Sequence, residues 1–166
     1  VSTMPPGIFV LVCEVLAGLI HNAKESKRTF VAAGGLKTLL GFLRGHPSDA
    51  AMQAAGLAAM LALSARSVHC IRLMADAGAH EVIAAALQRF PEDVKIVARA
   101  TGLLANMSNV PCVCPKLQRC GVLALTRRYL VEVEARPELS QESATPFVRE
   151  FVQYLLSNLQ EHDDAP

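Results

Sequence analysis

The chain has no tryptophan and only 2 tyrosines and 6 phenylalanines among 166 residues, so aromatics amount to 5%. The apolar residues, 52% of the total, are therefore mainly Leu, Ala and Val. Such side chains pack helix against helix and favour an all-α reading. Charged residues are also scarce, at 19%. With that much apolar material the chain can bury a core, which excludes disorder as the default state. Nor is there an excess of one sign, since 16 basic and 15 acidic residues leave a net charge of +1. A nucleic-acid binder needs a basic stripe to displace counterions from phosphates. The densest basic clusters here are Lys24, Lys27, Arg28 and Arg127, Arg128. Neither is extended by neighbours, and both read as solvated helix faces, so no nucleic-acid partner is expected.

Long apolar runs are missing too. A membrane helix needs about 18 or more apolar residues in a row, whereas the run Ile8 to Cys13 is broken by Glu14. That segment has no charged leader or small-residue exit of a signal peptide, so no membrane association is expected. Five cysteines make an odd number. In a chain long enough for one domain with a continuous core, this argues for reduced thiols in the cytoplasm, with the nucleus open as well. Because the first residue is Val1, the chain reads as the C-terminal segment of a larger protein. The polar stretch 161–166 is then expected to lie near the natural end.

What the sequence does contain is a repeat. Phe30-Val31-Ala32-Ala33-Gly34-Gly35-Leu36, Leu73-Met74-Ala75-Asp76-Ala77-Gly78-Ala79 and Leu117-Gln118-Arg119-Cys120-Gly121-Val122-Leu123 share one pattern, with Gly34, Gly78 and Gly121 spaced 44 and 43 residues apart. A period a little over forty is the size of an armadillo or HEAT unit. Each Gly can take the left-handed conformation that ends a short helix at no steric cost. An apolar helix follows at once: 36–43, 81–90 and 123–133. Pro47, Pro91 and Pro137 mark the loops after these helices. A longer helix then begins near Ser48-Asp49, Glu92-Asp93 and Thr145-Pro146, residues suited to a helix N-terminus. These long helices carry helical periodicity in Leu57, Met60, Leu61, Ser64; in Val97, Thr101, Leu104, Ser108; and in Phe147, Phe151, Tyr154, Asn158. A preceding helix of the same kind spans about Gly7 to Ala23. Alternation of period two is hardly visible, so strands are not expected.

Three sharper chemistries are weighed against blander ones. Cys112, Cys114 and Cys120, with Cys70 or His69 nearby, invite zinc, yet they lack the paired C-x-x-C spacing of a finger. Small buried positions beside Pro111 and Pro115 account for them as well, so no metal is expected. The histidines His21, His46, His69, His80 and His162 form no nucleophile motif with a Cys, and no catalytic residues are assigned. Gly34-Gly35 lacks the Lys-Ser or Lys-Thr of a phosphate loop, and no cofactor is expected.

The units resemble the armadillo family. Its third helices end in a small-Leu-x-Asn-Leu-Ala pattern. Leu103-Leu104-Ala105-Asn106-Met107-Ser108 and Leu155-Leu156-Ser157-Asn158-Leu159-Gln160 are similar to it. Gly18-Leu19-Ile20-His21-Asn22-Ala23 and Ala59-Met60-Leu61-Ala62-Leu63-Ser64 keep the apolar frame but carry His21 and Ala62 at the Asn position. The resemblance implies an all-α, right-handed α-solenoid of armadillo-type repeats forming a single domain over 1–166. It has one partial unit (1–25) and three complete ones (26–65, 66–109, 110–160), followed by the tail. It further implies a concave groove lined by the third helices, where Asn residues grip an extended peptide.

The groove positions by this register are Glu14, Ala17, His21; Ala55, Ala58, Ala62; Arg99, Gly102, Asn106; and Phe151, Tyr154, Asn158. An aromatic paired with Asn survives only as Tyr154 with Asn158, and without Trp the basic-signal binding of the importin branch is not expected. The Ala- and Gly-lined middle would let a helix or apolar peptide come close. The expected function is a non-catalytic protein–protein interaction scaffold. Its partner groove holds Glu14, His21, Arg99, Asn106, Phe151, Tyr154 and Asn158, and its partner is an extended peptide or helix of another protein. The alternative is a structural self-association module that uses the apolar first helix. The first helix is apolar on nearly every face, so it should be buried all round, covered by earlier repeats or by a second copy in a homo-dimer. The insertion at 136–143, which spaces Asn106 and Asn158 by 52 residues, is a candidate second contact.

Overall fold

A computed structural model of the chain describes residues 4–135 and 145–161. The loop at 136–143, expected as a second contact, lies outside the described residues. Ten α-helices and no strand occur among them.

The helix boundaries follow from local chemistry. α1 (Pro6–Ile20) starts on a proline, whose missing N–H would have had no helical partner at that position. It stops at Ile20, three residues short of the expected Ala23, in a turn through His21 and Asn22. α2 (Lys24–Ala32) and α3 (Gly35–Gly45) meet at Gly34, whose φ is 78°. The Gly34 N–H donates to Val31 O and the Ala33 N–H to Thr29 O, closing the end of α2. The same device recurs at Gly78 (φ 74°), between α5 (Val68–Asp76) and α6 (Ala79–Arg89). It recurs again at Gly121 (φ 75°), between α8 (Cys114–Arg119) and α9 (Val122–Ala135). All three glycines of the sequence pattern thus adopt the conformation that requires glycine.

The long helices α4 (Ala50–Ser64) and α7 (Val94–Ser108) open on the acidic caps seen in the sequence. Asp49 Oδ1 accepts from the Met52 N–H, and Asp93 Oδ1 from the N–H groups of Lys95 and Ile96, each at 3.0 Å. A short 3₁₀ turn, Pro111–Val113, leads into α8, and α10 (Thr145–Glu161) closes the described chain.

Two rows of helices result. The long helices pack in series, α1 on α4, α4 on α7 and α7 on α10. α3, α6 and α9 form a second row lying against the first, while α2, α5 and α8 occupy the connections. The core fills the space between the rows with Leu40, Leu43, Leu57, Met60, Leu63, Ile83, Ile96, Leu103, Leu104 and Met107, each at most 1% exposed. Burying each such side chain contributes about 1.5–3 kcal/mol.

Long polar side chains stitch helix ends across the fold. Lys27, only 4% exposed, donates from Nζ to Ala65 O at 2.6 Å, at the end of α4. Next to it Arg66 has a φ of 54°, a left-handed conformation unusual for a residue with a Cβ. Gln53 Nε2 donates to Leu43 O and His46 O at the end of α3. Arg44 reaches the α5–α6 turn, donating to Ala77 O at 2.7 Å and Gly78 O at 3.3 Å. Gln118 Nε2 does the same for Leu159 O in the last turn of α10. The carbonyls of Ala65, Leu43 and Ala77 lie at helix ends, where the helix itself supplies no partner.

Candidate protein-binding surface

Of the seven expected groove residues, Asn158 and Tyr154 bond across the α7–α10 seam and Asn106 across the α4–α7 seam. Asn106 and Arg99 lie half-buried on α7, two turns apart on one face. Asn158 is half-buried and Tyr154 47% exposed on α10. Phe151 also belongs to α10, but its side chain lies outside the described residues. Glu14 and His21 are exposed at α1, His21 just beyond the helix end. Among the described residues no hydrogen bond joins either of them to the α7–α10 group.

The two asparagines spend their amide donors within the chain. Asn106 Nδ2 donates to Ser64 Oγ at 2.8 Å, and Asn158 Nδ2 to Ser108 Oγ at 3.0 Å. Both serines donate their own hydroxyl hydrogen to a carbonyl three residues back, Ser64 to Leu61 O at 2.7 Å and Ser108 to Ala105 O at 2.9 Å. A serine oxygen used this way can only accept, which fixes NH₂ rather than C=O of each asparagine toward it. Each asparagine therefore ties its long helix to the last turn of the preceding one. The Tyr154 hydroxyl adds a third tie by donating to Asn109 Oδ1, while Asn109 Nδ2 donates to Ala105 O.

Sequence reasoning missed Ser64 and Ser108 as partners. The available signal was their shared place at the end of the helix before each Asn-bearing one. The α1–α4 contact has no such bond among the described residues: Ala62 occupies the Asn position of α4 and is buried.

The small residues of the middle also differ from expectation. Ala55, Ala62 and Gly102 are buried, and only Ala58 is half-exposed. They let the long helices approach one another, and so are covered by the neighbouring helices of this same chain rather than offered to a partner.

The cover expected for α1, earlier repeats or a second copy, lies outside the described residues, and within them α1 is buried on one side only. Phe9, Cys13 and Ile20 face the core, but Ile8, Leu11, Val12, Val15 and Leu19 are 48–68% exposed. At 100° per residue these five fall within one arc about 100° wide, centred about 130° around the helix from the buried set. Burial, helped by the neighbouring Glu14 charge, pushes the Cys13 thiol up to about 11.

Two open clefts lie on the other row. One, of about 630 Å³, runs between α3 and α6 past Leu43, Arg44, Pro47, Glu81 and Arg89. The other, of about 500 Å³, is lined by Asp76, His80, Glu81, Lys116, Arg119 and Cys120. Its charges are largely committed. Lys116 pairs with Asp76 at 2.6 Å, and Arg119 Nε donates to Pro115 O. His80 Nδ1 is buried with no hydrogen-bond partner. Burial lowers the His80 pKa, as do the charges of Lys116, Arg119 and Arg44, against an opposing Glu81.

All five cysteines are free thiols. Burial raises the pKa of Cys114 and Cys120, which disfavours the nucleophilic thiolate. Among the described residues no three His, Cys, Asp or Glu side chains gather as a metal site, and no helix is long and apolar enough to cross a membrane. No family model, curated protein or solved structure matches the chain.

Proposed function

We propose that this chain is a non-catalytic protein–protein interaction scaffold whose helices stack as an armadillo-type right-handed solenoid. Its units are the partial 1–25 and the complete 26–65, 66–109 and 110–160, within one domain. The observation that carries this reading is the serial packing of α1, α4, α7 and α10, which makes four long helices one continuous layer. A layer of that kind presents a surface broad enough for an extended peptide or a helix.

Arg99 and Tyr154 are the groove side chains with most to offer a partner. Arg99 brings charge and a hydrogen-bonding fork, and Tyr154 a half-exposed ring whose hydroxyl is already oriented by Asn109. Asn106 and Asn158 hold the layer in register, and a peptide backbone would meet their remaining carbonyl oxygens. Five free thiols support an intracellular setting, cytoplasmic or nuclear.

Site-specific photo-crosslinking tests this reading. A photoreactive residue at Ala58, Arg99 or Tyr154 is expected to trap the same cellular protein, while one at Lys37 or Gln88 on the other row traps none. Trapping only from Lys37 and Gln88, or from neither row, would sink the proposal.

A further inference from the structure

We propose that the cleft between α3 and α6 is a binding site for a small organic anion with an apolar body. The inference is independent of the long-helix layer, because the cleft lies on the other row of helices.

The repeat supplies its own comparison. One unit on, the same junction recurs between α6 and α9, where Leu87, Pro91, Val97, Leu125, Arg128 and Tyr129 line a space of only about 30 Å³. These residues stand 43 or 44 positions after Leu43, Pro47, Gln53, Val82, Ala85 and Ala86, which line the α3–α6 cleft of about 630 Å³. The difference lies chiefly in size. Arg128 and Tyr129, the latter 8% exposed, fill at one junction what Ala85 and Ala86 leave open at the other. The lining changes as well, since Gln53, only 2% exposed, stands where the closed junction has Val97. The opening therefore comes from particular side chains and not from the stacking of units.

Those side chains select the ligand. Leu43, Val82 and Ala86 are buried and give the cleft an apolar floor, which takes an apolar body. Gln53 spends both amide hydrogens on Leu43 O and His46 O. Its Oε1 has no hydrogen-bond partner among the described residues and is left to accept from a ligand. Arg44 Nη2 is held by Ala77 O and Gly78 O, and a Cβ on Gly78 would stand 2.8 Å from it and 3.1 Å from Glu81 Oε2. Glu81 thus offsets Arg44. Arg89 makes no hydrogen bond or ion pair among the described residues, so its guanidinium is the uncompensated charge of the cleft. A planar guanidinium matches a carboxylate or similar oxyanion through two parallel hydrogen bonds.

Size points to a free small molecule. The volume falls within the range of small-ligand sites, roughly 300–1,000 Å³. Arg44, crossing from α3 to the α5–α6 turn, bounds the cleft at one end, whereas an extended peptide needs a groove that runs on.

Proton–nitrogen correlation NMR of the full chain, titrated with naphthoate, tests the inference. The Gln53 side-chain amide and the backbone amides of residues 43–45 and 81–89 are expected to shift saturably. For a probe this small the dissociation constant should be on the order of a millimolar. The neutral amide of the same probe should bind more weakly, by about threefold or more. Ala86→Tyr installs here the residue that fills the other junction, and should abolish the shifts while helical circular dichroism is kept. Arg89→Glu tests the site without touching the core, because Arg89 is exposed. It should weaken naphthoate about tenfold. Absence of saturable shifts at these positions would overturn the inference, as would binding that survives in folded Ala86→Tyr. Equal affinity for naphthoate and its amide, or for naphthoate before and after Arg89→Glu, would overturn it too, since the ligand would then not be held as an anion.

Discussion

α1 and α4 are each 15 residues long and apolar on nearly every face, yet they occupy opposite situations. α4 has long helices on both flanks, and eleven of its residues are buried. α1 buries only Phe9, Cys13 and Ile20 and turns five large aliphatic side chains outward. An all-round apolar helix therefore signals how many neighbours it is built to have. It does not say whether those neighbours belong to the same chain.

The contrast can be broken most directly by truncation. Leu57→Ala in α4 should cost about 3 kcal/mol, because it opens a cavity between packed helices, and Leu57 is fully buried. Leu11→Ala in α1 should change monomer stability by less than about 0.5 kcal/mol. Urea unfolding at low protein concentration measures both, and equal losses would erase the distinction.

The glycines sharpen it. A Cβ on Gly56 of α4 would stand 2.5 Å from Leu43 Cδ2, a buried side chain with nowhere to go. Gly56→Ala is expected to destabilise by about 1–3 kcal/mol. Gly18→Ala in α1 meets nothing within 4 Å. It should stabilise the dilute monomer by about 0.5–1 kcal/mol, since alanine has the better helix propensity. A loss at Gly18 as large as that at Gly56 would show α1 to be covered already.

A smaller effect separates the seams. Asn106→Ala and Ser64→Ala should each cost about 1 kcal/mol and the pair scarcely more, as expected for one shared hydrogen bond. Strict additivity would mean that this bond does not hold α4 to α7.

The smallest effect is one of pH. His80 binds its proton more weakly in the fold than in the unfolded chain. Stability is therefore unaffected above the ordinary histidine pKa, about 6.5. It declines as pH falls through that value, and the loss is complete once pH is below the folded pKa. His80→Asn should flatten that part of the stability profile.

The sequence shows the punctuation of this fold more clearly than its neighbours. Gly34, Gly78 and Gly121 are legible because a left-handed residue selects for glycine. Asp49 and Asp93 are legible because an N-cap acts within three residues. Helical period shows which residues share a face but not what covers that face. Ala55, Ala62 and Gly102 therefore read as an open groove although the chain's own helices bury them.

On α10 the buried stripe is Val152, Leu155 and Leu159. It sits one residue C-terminal to the periodic set Phe151, Tyr154 and Asn158. The ties from Asn106 and Asn158 span 42 and 50 residues, beyond any local rule, and so do those from Lys27, Arg44 and Gln118.

Hydrogen exchange at low protein concentration tests the central contrast most directly, peptide by peptide in α1 and α4. Amides of residues 50–64 should be more strongly protected than those of residues 6–20. Protection of α1 equal to that of α4 would contradict the contrast between a helix enclosed on both flanks and one with an open outer face.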